Sequence, residues 1–314
     1  MRILVTGSSG FLGAALVRRL RADGLYAVGI DPVPGPMTDA VGSATDRALV
    51  RTLLREGGIT AIVHAGALHK PHVATHTQQA FVDTNVSGTL ALLEEGRDAG
   101  IDRFVFTSTT SLMIDRRIRA GSEGGATSAA WLDEDHGPLR PRNVYGVTKL
   151  AAEHLCRLHH ELSGLPVVIL RTARFFPEED DMAHRIAQSG LNTKVNELLF
   201  RRVTLPDIVE SHVLALRRAP SLGFDTFLVT ADTPFVPDDG PALIRDAPSV
   251  VARTHPRYRA IYERLGWTMF DRIDRVYDPR RAQERLGFRA STTFDTVLDL
   301  LEAGGDPSPL FGDA

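Results

Sequence analysis

Tyr145-Gly-Val-Thr-Lys149 sets a phenol and an ammonium four residues apart, so on a helix they share one face. A phenol ordinarily keeps its proton to about pH 10, too high for a base at neutral pH. A neighbouring positive charge favours the phenolate, which makes Tyr145 a candidate general base and Lys149 its tuner. The plain alternative is an amphipathic helix with a surface Tyr and Lys. Thr107-Ser-Thr-Thr-Ser111 puts five hydroxyl residues at the end of an apolar run, either a solvated strand end or donors to a reacting oxygen. A third set opens the chain. Gly7, Gly10 and Gly13 follow the apolar Met1–Thr6 and lead into an apolar helix, Phe11–Ala22. Gly7 permits a tight turn, Gly10 lets backbone approach a diphosphate, and Gly13 lets helix lie close on strand. The helix N-terminus then offers N–H groups and a positive dipole end to phosphates. Asp31, closing the run Ala27–Ile30, is placed to accept the ribose hydroxyls of an adenosine.

These groups need a scaffold that gathers them. Apolar β-branched runs alternate with amphipathic stretches through the first half: helical Asp46–Glu56, strand Ala61–His64, helical Gln78–Ala99, strand Arg103–Thr107, helical Val144–Leu162 and strand Val167–Leu170. That alternation predicts an α/β fold of Rossmann type, a doubly wound parallel sheet covered on both faces. Ligands in such sheets sit at the carboxyl ends of strands, which aligns Thr6, Asp31, His64, Thr107–Thr109 and Arg171 along one edge. Ile114–Pro141 is long, polar and glycine-rich and reads as an excursion over that edge. Beyond Thr172 the pattern loosens, with helices expected near Met182–Ser189, Asp207–Arg218 and Arg280–Leu286. The expected organisation is a dinucleotide-binding domain over 1–172 and a smaller C-terminal substrate lobe over 173–314, with a return strand at about 227–230.

Bulk properties narrow the function classes. A formal net charge of −3 gives no reason to expect nucleic acid or an anionic membrane as partner. No apolar run approaches the roughly 20 residues of a membrane span, and the N-terminus enters a strand directly instead of resembling a signal peptide. The lone Cys156 cannot form an internal disulfide and points to a reducing, cytoplasmic setting. Metal ligands at coordinating spacing are not found, so no metal is expected.

In order along the chain stand Thr6-Gly-Ser-Ser-Gly-Phe-Leu-Gly13, His64-Ala-Gly-Ala67, Asn85-Val-Ser-Gly-Thr89, Thr107-Ser-Thr109 and Tyr145–Lys149. Together they resemble the extended short-chain dehydrogenase/reductase family, the NAD-dependent epimerase/dehydratase group. The resemblance covers Met1–Thr172 well and weakens through Pro206–His212, Arg275–Asp278 and Leu286–Phe288. It implies NAD as cofactor, held by Gly7, Gly10, Phe11, Leu12, Gly13, Asp31, Ala44, Ala65, Gly66, Ala67, Asn85, Thr107, Ser108, Tyr145 and Lys149. It implies Thr109, Tyr145 and Lys149 as the catalytic set, with Thr109 donating to the substrate oxygen. His64 reads as a structural histidine. Asp31 favours NAD over NADP because its charge repels a 2′-phosphate. Asp46 reads as a helix cap, and Cys156 as inert packing.

Substrate residues are less defined. His69 and Lys70 form a rim that meets an anionic substrate or is a solvated loop. Arg174 either clamps a phosphate or carboxylate or pairs with Glu178–Asp181 beside it. Arg201 or Arg202, or neither, grips a diphosphate. Family members that dehydrate sugar nucleotides carry Asp-Glu directly after the catalytic Thr; Thr110-Ser111 stands here, which argues against elimination. The expected function is therefore an NAD-dependent epimerase or oxidoreductase acting on a nucleotide-sugar or similar polyol-like small molecule. The alternatives are a net dehydrogenase or ketone/aldehyde reductase, and an NAD-sensing regulator. A homodimer through Gln78–Ala99 and Val144–Leu162 is the expected assembly.

Overall fold

A computed structural model describes residues 1–121, 126–176 and 188–312. The chain opens as β1 (Arg2–Thr6), α1 (Phe11–Ala22), β2 (Tyr26–Asp31), a short β3 (Ala40–Val41), α2 (Arg47–Glu56) and β4 (Ala61–His64). A helical run follows: α3 (Gln78–Phe81), a π-helical segment Val82–Ser87 and α4 (Gly88–Ala99). Next come β5 (Arg103–Thr109), α5 (Arg116–Gly121), β6 (Ala130–Leu132), α6 (Val144–Ser163) and β7 (Val167–Thr172). The remainder holds α7 (Gly190–Glu197), α8 (Leu205–Leu222), β8 (Phe224–Val229), α9 (Gly240–Arg245), α10 (Ala247–Thr254), α11 (Tyr258–Leu265), β9 (Arg275–Tyr277) and α12 (Phe294–Glu302).

Seven strands form one sheet in the order β3-β2-β1-β4-β5-β7-β8, and the pairings from β3 through β5 are parallel. This is the doubly wound arrangement expected from the alternating pattern. The order reverses between β1 and β4, where the crevice at the strand ends receives ligands in such folds. Ile3, Leu4, Val5, Ile62, Val63, Phe104, Val105 and Phe106 are buried, as strands covered on both faces require. Asp46 caps α2 by accepting from Leu49 N at 3.1 Å, and Asn143 caps α6 by accepting from Gly146 N at 2.9 Å. No helix of the described residues is long and apolar enough to cross a membrane.

The chain divides into two compact units. The first comprises Met1–Leu112, Arg140–Arg171 and Val209–Phe227; the second comprises Met113–Leu139, Thr172–Ile208 and Leu228–Ala314. The first has a core of sheet and helix residues that includes Leu4, Ile62, Leu92, Phe104 and Cys156. The second has its own core, in which Leu198, Leu243, Tyr262, Phe294 and Leu298 are buried.

Several elements depart from the sequence pattern. The excursion Ile114–Pro141 contains α5 and β6, and β6 pairs in parallel with β9 in a separate two-stranded sheet. Three residues at each strand are too few to register as periodicity. The long helix expected over Gln78–Ala99 is interrupted by the π-helical segment, a local widening that apolar spacing does not encode. Helices α7, α9, α10, α11 and α12 lie outside the helical stretches that the sequence pattern predicts. The helix expected near Met182–Ser189 and the acidic run Glu178–Asp181 fall on 177–187, outside the described residues.

Candidate active site

The turn between β1 and α1 is dictated by its glycines. Gly7 has φ +75°, and a Cβ there would lie 2.6 Å from Gly66 Cα. A Cβ on Gly13 would lie 1.9 Å from Gly7 O, so helix and turn can approach only without one. Gly10 differs: apart from Gly7 O at 3.2 Å, a Cβ there would enter open space at the mouth of the loop. Gly10 is also the N-cap of α1, with no capping side chain and no acidic residue in the first turn. Phe11 is exposed and Leu12 buried. The Asp31 carboxylate accepts from Ser9 N at 3.2 Å and Val33 N at 2.8 Å, fixing the end of β2 beside the glycine turn. Ala44 lies three residues past β3, close to Gly88 at the start of α4.

The strand ends beside that turn bring the catalytic candidates together. Thr109 closes β5, and its hydroxyl oxygen accepts from Ser111 N at 3.1 Å. The same hydroxyl acts on the Tyr145 phenol, and its influence favours phenolate. Burial works the other way and pushes Tyr145 up to about 12. Lys149, one turn further along α6, is buried, with Nζ 3.9 Å from the centroid of the Phe106 ring. Burial brings its ammonium down to about 7, opposed by Cys156 and Glu153. Among the described residues no hydrogen bond reaches Lys149 Nζ. A buried ammonium of this kind is suited to ribose hydroxyls. The open cradle at Gly10, the uncapped α1 terminus and Asp31 at the end of β2 likewise fit a dinucleotide.

Other residues expected at the cofactor spend their side chains inside the protein. The Asn85 amide, in the π-helical segment, accepts from Leu68 N and donates to Leu68 O, both at 2.9 Å, and to Thr148 Oγ1 at 3.0 Å. It pins the half-buried segment Ala65–Ala67 and Leu68 after β4 against α6. The Thr107 hydroxyl is paired with His212 Nε2 at 2.8 Å, and Ser108 donates to Glu153 Oε1 at 2.6 Å. Glu153 also receives a bidentate ion pair from Arg171, with NH2 2.8 Å from Oε2. This buried trio joins β5, β7 and α6, and the sequence reading missed Glu153. Its signal was an acid on the α6 face that also carries Lys149.

His64 is buried, and burial with the positive Lys149 nearby brings it to about 3, so it stays neutral. His69 and Lys70 begin a 3-10 turn, where His69 N donates to His72 Nδ1 at 3.0 Å. In the second unit, Glu197 is fully buried and gathers arginines. Arg202 Nε and Arg201 NH2 each lie 2.7 Å from its oxygens, with Arg174 Nε at 3.9 Å. Arg202 is itself buried and donates to Phe176 O at 3.1 Å, so its guanidinium is engaged with the protein. No group of three metal-ligating side chains is found among the described residues.

Known proteins resemble this chain in sequence and in fold. Over 216 residues the chain is 31% identical to a protein of Bacillus subtilis described as an uncharacterized UDP-glucose epimerase, covering 62% of this chain and 64% of that one. Over 238 residues it is 36% identical to a 3-beta-hydroxysteroid dehydrogenase of Mycolicibacterium neoaurum, covering 73% and 57%. These alignments span less than two thirds of the curated relatives' length. A solved short-chain dehydrogenase/reductase superfamily protein from Agrobacterium tumefaciens, with bound NAD, superposes at a TM-score of 0.65, with 25% identity and 96% of each chain covered. Residues 3–206 match the sequence model of the NAD dependent epimerase/dehydratase family, and the chain belongs to that family.

Proposed function

We propose that this chain is an NAD-dependent enzyme acting at a secondary hydroxyl or keto carbon of a nucleotide-sugar, with epimerisation as its reaction. The observation that carries the reading is the Thr109 hydroxyl acting on the Tyr145 phenol, with the buried Lys149 one turn further along α6. Gly7, Gly10, Gly13, Asp31 and Lys149 are the residues that would hold NAD, which when bound supplies a two-electron acceptor and donor.

The chain's own part is proton transfer and positioning. Tyr145 accepts the substrate hydroxyl proton onto its phenolate oxygen and returns it in the reverse direction. Thr109 donates its one hydroxyl proton to the substrate oxygen, which holds substrate and phenol in line. The Lys149 ammonium stabilises the phenolate electrostatically, working against the burial that otherwise holds the phenol near 12. Thr110 and Ser111 cannot serve as acid and base for loss of water, so the reading excludes a 4-keto-6-deoxy product. A second reading, net oxidation of a hydroxyl on a substrate without a nucleotide, is favoured by the likeness to the hydroxysteroid dehydrogenase. It uses the same residues and releases reduced cofactor. A purely sensing role has no use for the retained Tyr145 and Lys149.

The test is incubation of purified protein and NAD with UDP- and dTDP-hexoses, followed by chromatography and mass spectrometry. An isomer of unchanged mass with no net NADH supports epimerisation. Accumulating NADH supports the second reading, and a mass loss of one water refutes the account of Thr110-Ser111. Assembly as a homodimer is part of the proposal. Val147, Leu158 and Leu162 of α6 are 52%, 47% and 77% exposed, an apolar stripe suited to burial against a second copy. Monomer alone in sedimentation at micromolar concentration refutes it. A cytoplasmic location accords with the single buried thiol of Cys156.

A further inference from the structure

His64 lies in a run of hydrogen bonds whose directions can be assigned atom by atom. Thr89 has one hydroxyl proton, and it goes to Asn85 O at 2.6 Å. The Thr89 oxygen, 3.0 Å from His64 Nε2, therefore accepts, and Nε2 carries the imidazole proton. Nδ1 is then the acceptor and takes the Thr6 hydroxyl proton at 2.7 Å. The Thr6 oxygen in turn accepts from Gly66 N at 3.0 Å, at the point where Gly66 packs on Gly7. On the other side, Asn85 donates to Thr148, whose hydroxyl is 3.0 Å from both Val144 O and Tyr145 O. Thr6, His64, Asn85, Thr89 and Thr148 are all buried. Each bond in the run has its donor and acceptor supplied, and a second proton on His64 would meet a hydroxyl already donating to it.

We propose that His64 is a positioning residue with two separable arms: its Nδ1 side supports the glycine turn through Thr6, and its Nε2 side holds Asn85 and the helix carrying Tyr145 and Lys149. The inference rests on the reading that Lys149 holds the nicotinamide half of NAD. Of the two arms, only the one at the glycine turn bears on the ADP half. Loss of the Nε2 arm therefore weakens NAD while sparing ADP.

The experiment titrates the NAD-free 314-residue chain with NAD and with ADP by calorimetry. His64→Asn keeps an acceptor near the Nδ1 position and loses the donor to Thr89; His64→Gln keeps a donor near Nε2 and loses the acceptor for Thr6. Thr89→Val cuts the Nε2 arm without touching His64, and Thr89→Ser restores it. In His64→Asn and Thr89→Val the ratio of NAD to ADP affinity is expected to fall about three- to tenfold, the scale of one buried hydrogen bond. In His64→Gln and Thr89→Ser the ratio is held, and in His64→Gln both ligands weaken together. An unchanged ratio in His64→Asn and Thr89→Val, against a wild-type preference for NAD, overturns the positioning role alone. A wild-type protein that binds NAD no tighter than ADP overturns the reading of Lys149 and this inference with it.

Discussion

Replacing Lys149 with Met is expected to make the NAD-free protein more stable, and the structure sets the size of the effect. Burial brings the ammonium from 10.5 to about 7. At about 1.4 kcal/mol per pH unit, holding that charge in the folded state costs about 5 kcal/mol. Met fills nearly the same volume and carries no charge, but forfeits the contact with the Phe106 ring, worth about 2 kcal/mol in a desolvated site. The net gain is about 3 kcal/mol at pH 6.5. Below about pH 7 the lysine is protonated in both folded and unfolded chains, so the whole penalty is present. Between about pH 7 and 10.5 only the unfolded chain keeps the proton, so wild-type stability climbs toward that of the variant. By pH 9.5 the folded amine is neutral, so the ring contact no longer offsets the remaining penalty, and the gap should narrow to about 1 kcal/mol in favour of the variant. Urea unfolding of wild type and Lys149→Met at pH 6.5 and 9.5 measures both numbers, and groups common to the two proteins cancel in the difference. A variant less stable than wild type at pH 6.5, or a gap indifferent to pH, refutes the reasoning. The stability gained is expected to come with loss of NAD affinity, a trade typical of functional sites.

Tyr145→Phe should lower turnover at least about 100-fold, the usual scale for a proton-transfer group, while NAD affinity by calorimetry stays nearly unchanged. Asp31→Ala should weaken NAD and narrow its advantage over NADP, and parallel titrations with the two cofactors read this directly. Gly13→Ala forces a methyl to within 1.9 Å of Gly7 O, so thermal unfolding should show a loss of about 1–3 kcal/mol, together with weaker NAD binding.

The glycine turn after β1 was legible in the sequence because it depends on short-range chemistry. Only glycine satisfies Gly7 at φ +75° and the approach of Gly13 to Gly7 O, so three glycines in register with a strand and a helix specify the turn by themselves. The Rossmann-type sheet was legible for a related reason, since fully buried parallel strands must be apolar throughout. Tyr145 and Lys149 share a face through helical spacing alone.

What only the tertiary structure decided is where each polar side chain spends its hydrogen bonds. Asn85, Thr107 and Ser108 read from the motifs as cofactor residues, yet their side chains bond to Leu68 and Thr148, to His212 and to Glu153. Their partners lie between 17 and 105 residues away along the chain, beyond any local pattern. Arg202 likewise bonds to Glu197 and Phe176 rather than standing ready at a surface. The π-helical turn that brings Asn85 to Leu68 leaves the apolar spacing of Gln78–Ala99 intact and so leaves no trace in it. A hydroxyl or an amide has the same identity whether it faces a ligand or the core. Residue type limits which bonds it can form, and only the packing of distant elements selects among them.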